Sequence, residues 1–385
     1  MNQGNRLDRE TAEPTDGPPS AAPVGVRTFP CQQCGARLEY AAGAGALQCP
    51  YCGAEQGVVA VDEAVDEHDF VAWQSSPIKP TGHLGAHLLS CPKCSAQLET
   101  DQLSTICQFC GTPIVADVNP SEQIVPEGVV PFAVDRQGAQ SAVRAWAGSR
   151  LFAPNRLKKV STTERLMGTY LPHWTFDAAT STHYSGMRGE HYFETQHVTV
   201  MVDGRPQQQT RQVMKTRWWP ASGQVARDFD DVLVVASTQL EPDQIARLSP
   251  WALEGARPYQ QEYLSGYQTL RYDVQPDQGL EAAKQQMRTV ILDDCRSDIG
   301  GDEQQVHSMD TRYADLMFKL MLLPVWVAAY LYAGKTYQVF VNAYTGQVIG
   351  ERPYSIPKIV AAVVAGLIVL AVLVYLFSQQ QTSTA

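Results

Sequence analysis

The chain has 385 residues, 44% hydrophobic and 18% charged, long enough for two or three domains with a sizeable core. Thirty Lys and Arg face forty Asp and Glu, a formal charge of −10. That excludes a surface built as a whole to grip nucleic acid, because such binding rests on phosphate neutralisation.

Residues 1–27 are rich in Pro, Asp, Glu, Gln and Gly, so a disordered lead-in is expected. Met1 to Gly25 holds no apolar run, which argues against a secretory signal peptide. Eight of the nine cysteines then fall in four Cys-x-x-Cys pairs. This usage points to metal in a reducing compartment.

Residues 28–57 carry Cys31-Gln-Gln-Cys34-Gly35 and Cys49-Pro50-Tyr51-Cys52-Gly53. Residues 87–117 carry Cys91-Pro92-Lys93-Cys94 and Cys107-Gln-Phe-Cys110-Gly111. Each pair offers two thiolates from one tight turn, and the Gly after the second Cys permits a positive φ. Two facing knuckles make a tetrahedral sulfur site suited to structural zinc. The expectation is two zinc ribbons holding two Zn²⁺ through Cys31, Cys34, Cys49, Cys52, Cys91, Cys94, Cys107 and Cys110. The spacers of 14 and 12 residues suffice for a short β-hairpin. Redox and iron–sulfur roles are the weaker readings, since neither module sits in a βαβ pattern. Cys34-Gly35-Ala36-Arg37-Leu38-Glu39 matches Cys94-Ser95-Ala96-Gln97-Leu98-Glu99, an internal duplication. A closed four-cysteine site has no open coordination position for catalysis; it folds a segment too small for its own core.

Residues 58–86 read as an acidic linker in which Val61, Val65 and Phe70 form one face of a short helix. A solvated linker helix is the plain reading and a docking segment for another protein the sharper one. Asn119-Pro120 opens a body over 118–356. Strand-like runs cover Val198 to Val202, Gln212 to Trp219, Asp231 to Ala236 and Tyr337 to Val341. Asp203-Gly204, Ala333-Gly334 and Thr345-Gly346 read as turns. Leu280, Ala283, Met287, Ile291, Cys295 and Ile299 recur at steps of three and four, a helix core face with Cys295 buried in it. The class is therefore α+β with antiparallel hairpins. Leu171-Pro172-His173-Trp174 and Leu323-Pro324-Val325-Trp326 hint at a second duplication.

Ile359 to Phe377 is an uncharged run of 19 residues, about 28 Å as a helix. A transmembrane helix over 357–378 with a short tail over 379–385 is expected. Arg352 and Lys358 precede the run, which places the N-terminal bulk on the cytoplasmic side of the inner membrane.

Catalytic motifs are missing. There is no Gly-x-Ser-x-Gly and no His-Glu-x-x-His. Gly334-Lys335-Thr336 lies between strands and lacks the first Gly of a phosphate loop. His173, His183, His191 and His197 lack metal spacing. Asp228, Asp230 and Asp231 read as a turn and strand start.

The doubled ribbons, Gly168-Thr-Tyr-Leu-Pro-His-Trp-Thr-Phe-Asp177, Phe229-Asp-Asp-Val-Leu-Val234, Leu323-Pro-Val-Trp326 and Val341-Asn-Ala-Tyr-Thr-Gly346 resemble bacterial membrane proteins with a transcription-factor-IIB-type zinc ribbon. The resemblance runs from about residue 28 to 358. Some members carry a primosomal replication-restart helicase label, for which this chain has no motor motif. The resemblance implies no enzyme activity. It implies partners of the stomatin/flotillin-like and phage-shock-protein-A-like kinds. Cys94-Ser95 departs from the usual knuckle Gly. The expected function is a non-enzymatic, membrane-anchored adaptor that recruits proteins, with a membrane-tethered nucleic-acid-binding ribbon protein as the alternative. Only Arg27, Arg37 and Lys93 lie near the ribbons, which favours the adaptor.

Overall fold

The computed structural model describes residues 25–59, 64–76, 87–118, 123–150, 166–202, 205–332, 335–351 and 355–382. Most of the expected lead-in, part of the acidic linker including Val61, Asn119-Pro120, the Asp203-Gly204 and Ala333-Gly334 turns and the last residues of the tail lie outside these.

Strand β1 (Val26–Arg27) precedes a first ribbon of β2 (Glu39–Ala41), β3 (Ala46–Gln48) and β4 (Glu55–Gly57). Then come β5 (His68–Asp69) and α1 (Phe70–Ser75). The second ribbon holds β6 (His87–Ser90), β7 (Gln97–Thr100), β8 (Gln102–Ile106) and β9 (Pro113–Ala116). The body runs β10 (Gly128–Val129), α2 (Arg136–Gly148), β11 (Met167–Val202), β12 (Arg205–Val235), α3 (Pro242–Ala246), β13 (Arg257–Pro258), β14 (Gln268–Leu270), α4 (Pro276–Ile299), β15 (Glu303–Tyr332), β16 (Lys335–Asn342) and β17 (Val348–Gly350). Helix α5 (Ile356–Thr382) ends the chain. This is an α+β fold with a sheet-rich body and two four-cysteine clusters at its N-terminal end.

The strands expected as separate short runs merge. β11, β12 and β15 are 36, 31 and 30 residues long. β11 lies between the other two, antiparallel to both. Bulges keep these strands bent. Opposite Asp177 and Ala178, the flanking strands each place an Asp at positive φ, Asp231 (53°) and Asp315 (51°). Asp231 thus sits at a bulge inside a continuous strand, not at a strand start. Beyond Gly189 the β11–β12 hairpin continues without β15, projecting roughly 40 Å.

The second duplication is real and organises the body. Leu171 of β11 lies directly opposite Leu323 of β15. Around that pair, each half repeats the same contacts. β14 runs parallel to β11 and β10 runs parallel to β15. The Pro172 carbonyl accepts the Ala236 N–H, and the Pro324 carbonyl accepts the Ala343 N–H. The Ala236 carbonyl accepts the N–H groups of Asp273 and Val274; the Ala343 carbonyl accepts those of Ala133 and Val134. The Trp174 indole donates to the Val274 carbonyl and the Trp326 indole to the Val134 carbonyl, both at 2.8 Å. Each of these carbonyls lies two residues before a helix, α4 in one case and α2 in the other. Each Leu-Pro-x-Trp string therefore ties a strand to the entry of its own helix.

α4 packs on the sheet through Leu280, Ala283, Met287, Ile291, Cys295 and Ile299, the face that periodicity gives. Gly279 has no room for a side chain: a Cβ there would lie 2.9 Å from the Trp174 ring. α1 begins later than expected. Asp69 caps it by accepting the N–H groups of Val71 and Ala72, and residues 64–67 are not helical. The linker docks on its own body, with Phe70 edge-on to Phe318 at 5.7 Å and Val65 against Met321 and Leu323.

The expected membrane span requires correction, and with it the inner-membrane location and the cytoplasmic placement drawn from it. Among the described residues, no helix is long and apolar enough to cross a membrane. The C-terminal segment does form a helix, α5, over Ile356–Thr382.

If the indole clamps hold the two halves, Trp174→Phe and Trp326→Phe should each lower unfolding free energy by about 1–3 kcal/mol, because a buried carbonyl loses its donor. Urea titration of each variant checks this; a loss in only one half contradicts equal roles.

Candidate metal centres

Each Cys-x-x-Cys pair folds into the same local turn. The first Cys N–H bonds a carbonyl five residues on, and its own carbonyl accepts an N–H four residues on. The latter bonds are Gly35 to Cys31 (2.9 Å), Gly53 to Cys49 (3.0 Å), Ser95 to Cys91 (2.8 Å) and Gly111 to Cys107 (2.8 Å). The residue after the second Cys is left-handed in all four: Gly35 at 69°, Gly53 at 74°, Gly111 at 69° and Ser95 at 58°. Ser95 adopts the knuckle conformation despite its side chain.

The four sulfurs of Cys31, Cys34, Cys49 and Cys52 lie within 4.8 Å of one another, as do those of Cys91, Cys94, Cys107 and Cys110. Separations across each cluster include 3.6 Å (Cys31 to Cys52, Cys34 to Cys49, Cys91 to Cys110) and 3.7 Å (Cys94 to Cys107). A tetrahedron of thiolates about 2.3 Å from a central ion has edges near 3.8 Å. The spacing is far too long for a disulfide. Donor set and distances fit two four-coordinate ions.

The electrostatics agree. The Cys52 N–H first, and the Tyr51 N–H with it, hold the Cys49 thiol down to about 6 against burial. The Thr112 side chain first, and its backbone N–H, hold the Cys110 thiol to about 6. Their neighbours move the other way. The Ala54 N–H favours the Cys52 thiolate, yet Cys34, burial, Cys49 and Cys31 push it up to about 12. Cys94 is likewise pushed up to about 12 by burial and its three companions, against the Ala96 N–H. The first thiol ionises readily and the last resists, so four thiolates coexist only around a cation.

The spacers behave differently in the two copies. In the first ribbon β2 and β3 form the expected hairpin. In the second, β7 pairs back to β6 while β8 pairs with β9 and with β14 of the body. Both ribbons are bonded to the body and to each other. Tyr40 N–H donates to the Ser265 carbonyl (2.9 Å), Ser265 Oγ to the Leu38 carbonyl (2.8 Å) and Tyr267 Oη to the Tyr40 carbonyl (3.1 Å). Ser104 Oγ lies 2.6 Å from Thr269 Oγ1. Arg37 Nη1 donates to the Gly111 carbonyl of the other ribbon at 2.5 Å.

A third group escaped the sequence. Glu67, Asp177 and Asp231 bring carboxylate oxygens within 4.8 Å of one another. Lys319, 9% exposed, places its ammonium 2.6 Å from Glu67 and 2.8 Å from Asp231. That ammonium supplies the cluster's cation. Burial pushes the Asp177 carboxyl up to about 6; the Asp231 N–H it accepts at 2.7 Å works against this and Glu67 adds to it. The histidines do not gather: His191 pairs with Glu303 at 2.8 Å, His183 and His197 are exposed, and His173 is buried.

No family model matches the chain, and no solved structure matches it significantly. The chain is similar to the uncharacterised protein YdjG of Bacillus subtilis, 24% identical over 339 residues that cover 87% of this chain and 93% of that protein.

Two expectations follow. Ser95→Gly relieves a left-handed serine and should raise stability by about 1 kcal/mol, read from the urea midpoint. Asp177 has a raised folded pKa, so its contribution is present below about pH 4 and is lost as pH rises through about 6. Asp177→Asn keeps the acceptor for the Asp231 N–H and removes the titration. It should be more stable than the parent near neutral pH, with a flatter stability profile across that window.

Proposed function

We propose that the protein is a non-enzymatic scaffold in which two structural zinc ions rigidify paired ribbons that present a surface to a partner protein. The observation that carries the reading is the exposure of an aromatic side chain inside a knuckle of each ribbon. Tyr51 is 69% exposed and Phe109 75% exposed, while the flanking Cys49 and Cys107 are buried. Rigid exposed aromatics suit protein contacts, where such side chains dominate binding energy. The all-thiolate tetrahedral donor set suits zinc. Closed four-sulfur coordination leaves no position for substrate.

The nearby charge also favours a protein partner. Arg27 lies 3.3 Å from Asp117, and Arg37 is held by Glu39 at 2.9 Å and by the Gly111 carbonyl. Arg37 is held by two partners and Arg27 pairs at the surface with Asp117, which reduces what these two arginines offer to phosphate. The docked α1 segment binds its own body, so the recruiting surface is assigned to the ribbons. Membership of the transcription-factor-IIB-type ribbon family is part of the proposal and rests on the ribbons and the Leu-Pro-x-Trp strings. So are stomatin/flotillin-like or phage-shock-protein-A-like partners.

The test uses the full chain. Metal analysis should give about two zinc ions per chain, as two closed sites require; bound iron or none contradicts the reading. A photo-crosslinker at position 51 or 109 should trap a specific protein in cells. Cys31→Ser with Cys34→Ser should abolish trapping at position 51 as the first ribbon unfolds. Submicromolar DNA or RNA binding at about 0.15 M salt that vanishes with the same change, without protein crosslinks, would favour the nucleic-acid alternative.

A further inference from the structure

A cleft in the body has a volume of about 710 Å³, within the range of small-molecule sites. It opens along the outer edge of β12 at Val232–Val235, between α3 and α4. Its walls include Ile245, Trp251, Met287 and Val290. Its polar rim is acidic, with Asp230, Asp231 and Asp243, and no Lys or Arg is among its described lining residues. Such a cleft disfavours anions and suits an uncharged apolar body.

A buried polar atom in the lining lacks both a hydrogen bond and an ion pair among the described residues. His173 is 1% exposed and lines the cleft. Its Nδ1 lies 3.1 Å from the Leu171 carbonyl, which accepts only, so Nδ1 carries the proton. Nε2 is then an acceptor, and it has no hydrogen-bond partner among the described residues. Burial holds the ring neutral, pushed down to about 4. The Trp251 ring stands 5.8 Å away, tilted by 56°.

The internal duplication supplies an independent argument. The residue equivalent to His173 in the second Leu-Pro-x-Trp string is Val325, fully buried in an apolar cluster with Leu248 and Phe340. The position needs only a buried apolar side chain to complete the fold. In the first half it carries an imidazole whose unpaired acceptor costs stability. A ligand that donates a hydrogen bond removes that cost.

We propose that this cleft binds an uncharged, largely apolar small molecule through a hydroxyl or N–H group donated to His173 Nε2. The edge of β12 assists. Gln286 Nε2 already donates to the outward-facing Leu233 carbonyl at 3.1 Å, which fixes that side chain at the cleft wall.

Indole and 1-methylindole are the probes, because they share an apolar body and differ in the N–H donor. Calorimetry or ligand-observed NMR on the full chain should show indole binding about fivefold tighter, the worth of one net hydrogen bond. The Nε2 ¹⁵N resonance of His173 should shift with indole only. His173→Phe should bring the two affinities together, and Ala246→Trp, on the exposed lip, should abolish both. Equal binding of the two probes by the unaltered chain, or binding of neither up to millimolar concentration, overturns the proposal without need of any variant. Retained preference in Ala246→Trp overturns it too, by placing the site elsewhere.

Discussion

The pairing of β11 with β15 is the constraint on which the rest of the molecule depends. It places Leu171 against Leu323 and so sets two copies of one strand–helix unit side by side. A one-residue slip would turn every side chain to the opposite face. Trp174 and Trp326 would then leave the helix entries they hold, and α2 and α4 would lose their seats. The prolines fit this design. Each lacks an N–H and lies in a central strand, yet each still accepts a bond from an alanine just past the end of the neighbouring strand.

The ribbons are seated on that frame rather than strung before it. β8 joins the main sheet through β14, and β1 joins it through β9. The aromatic cluster of Phe132, Tyr170, Tyr267 and Trp326 carries the first ribbon through the Tyr267 hydroxyl. The four-cysteine clusters and the packing on the body therefore support one another. A small ribbon cannot bury a core alone, and here it borrows one.

Duplication followed by divergence explains the asymmetry of both repeats. The two ribbons share their knuckle turns because thiolate geometry fixes them. They differ in strand pairing because the second lies beside β14 of the body, which β8 joins. In the body, the halves share their proline and indole contacts. They differ at His173 and Val325, where the first half keeps a buried polar atom beside a cleft and the second fills the space with apolar groups.

The sequence by itself determined whatever depends on short spacing. Four Cys-x-x-Cys pairs dictated the knuckles, and a 3.6-residue apolar period dictated the buried face of α4, including Cys295. The Leu-Pro-x-Trp strings only hinted at the body duplication, which the paired backbone and indole contacts carry. Other features were illegible. Three strands of 30 or more residues read as short runs, because exposed polar stretches such as Gln207 to Gln209 carry no hydrophobic alternation yet still complete a ladder. The linker read as an amphipathic helix, but tertiary contacts with Phe318 and Lys319 drew it out straight before Phe70. Only the tertiary structure decided the ammonium cluster, since Glu67, Asp177, Asp231 and Lys319 come from four separate segments. It alone decided the state of His173, because a buried acceptor becomes unpaired only when every neighbouring donor has been placed elsewhere.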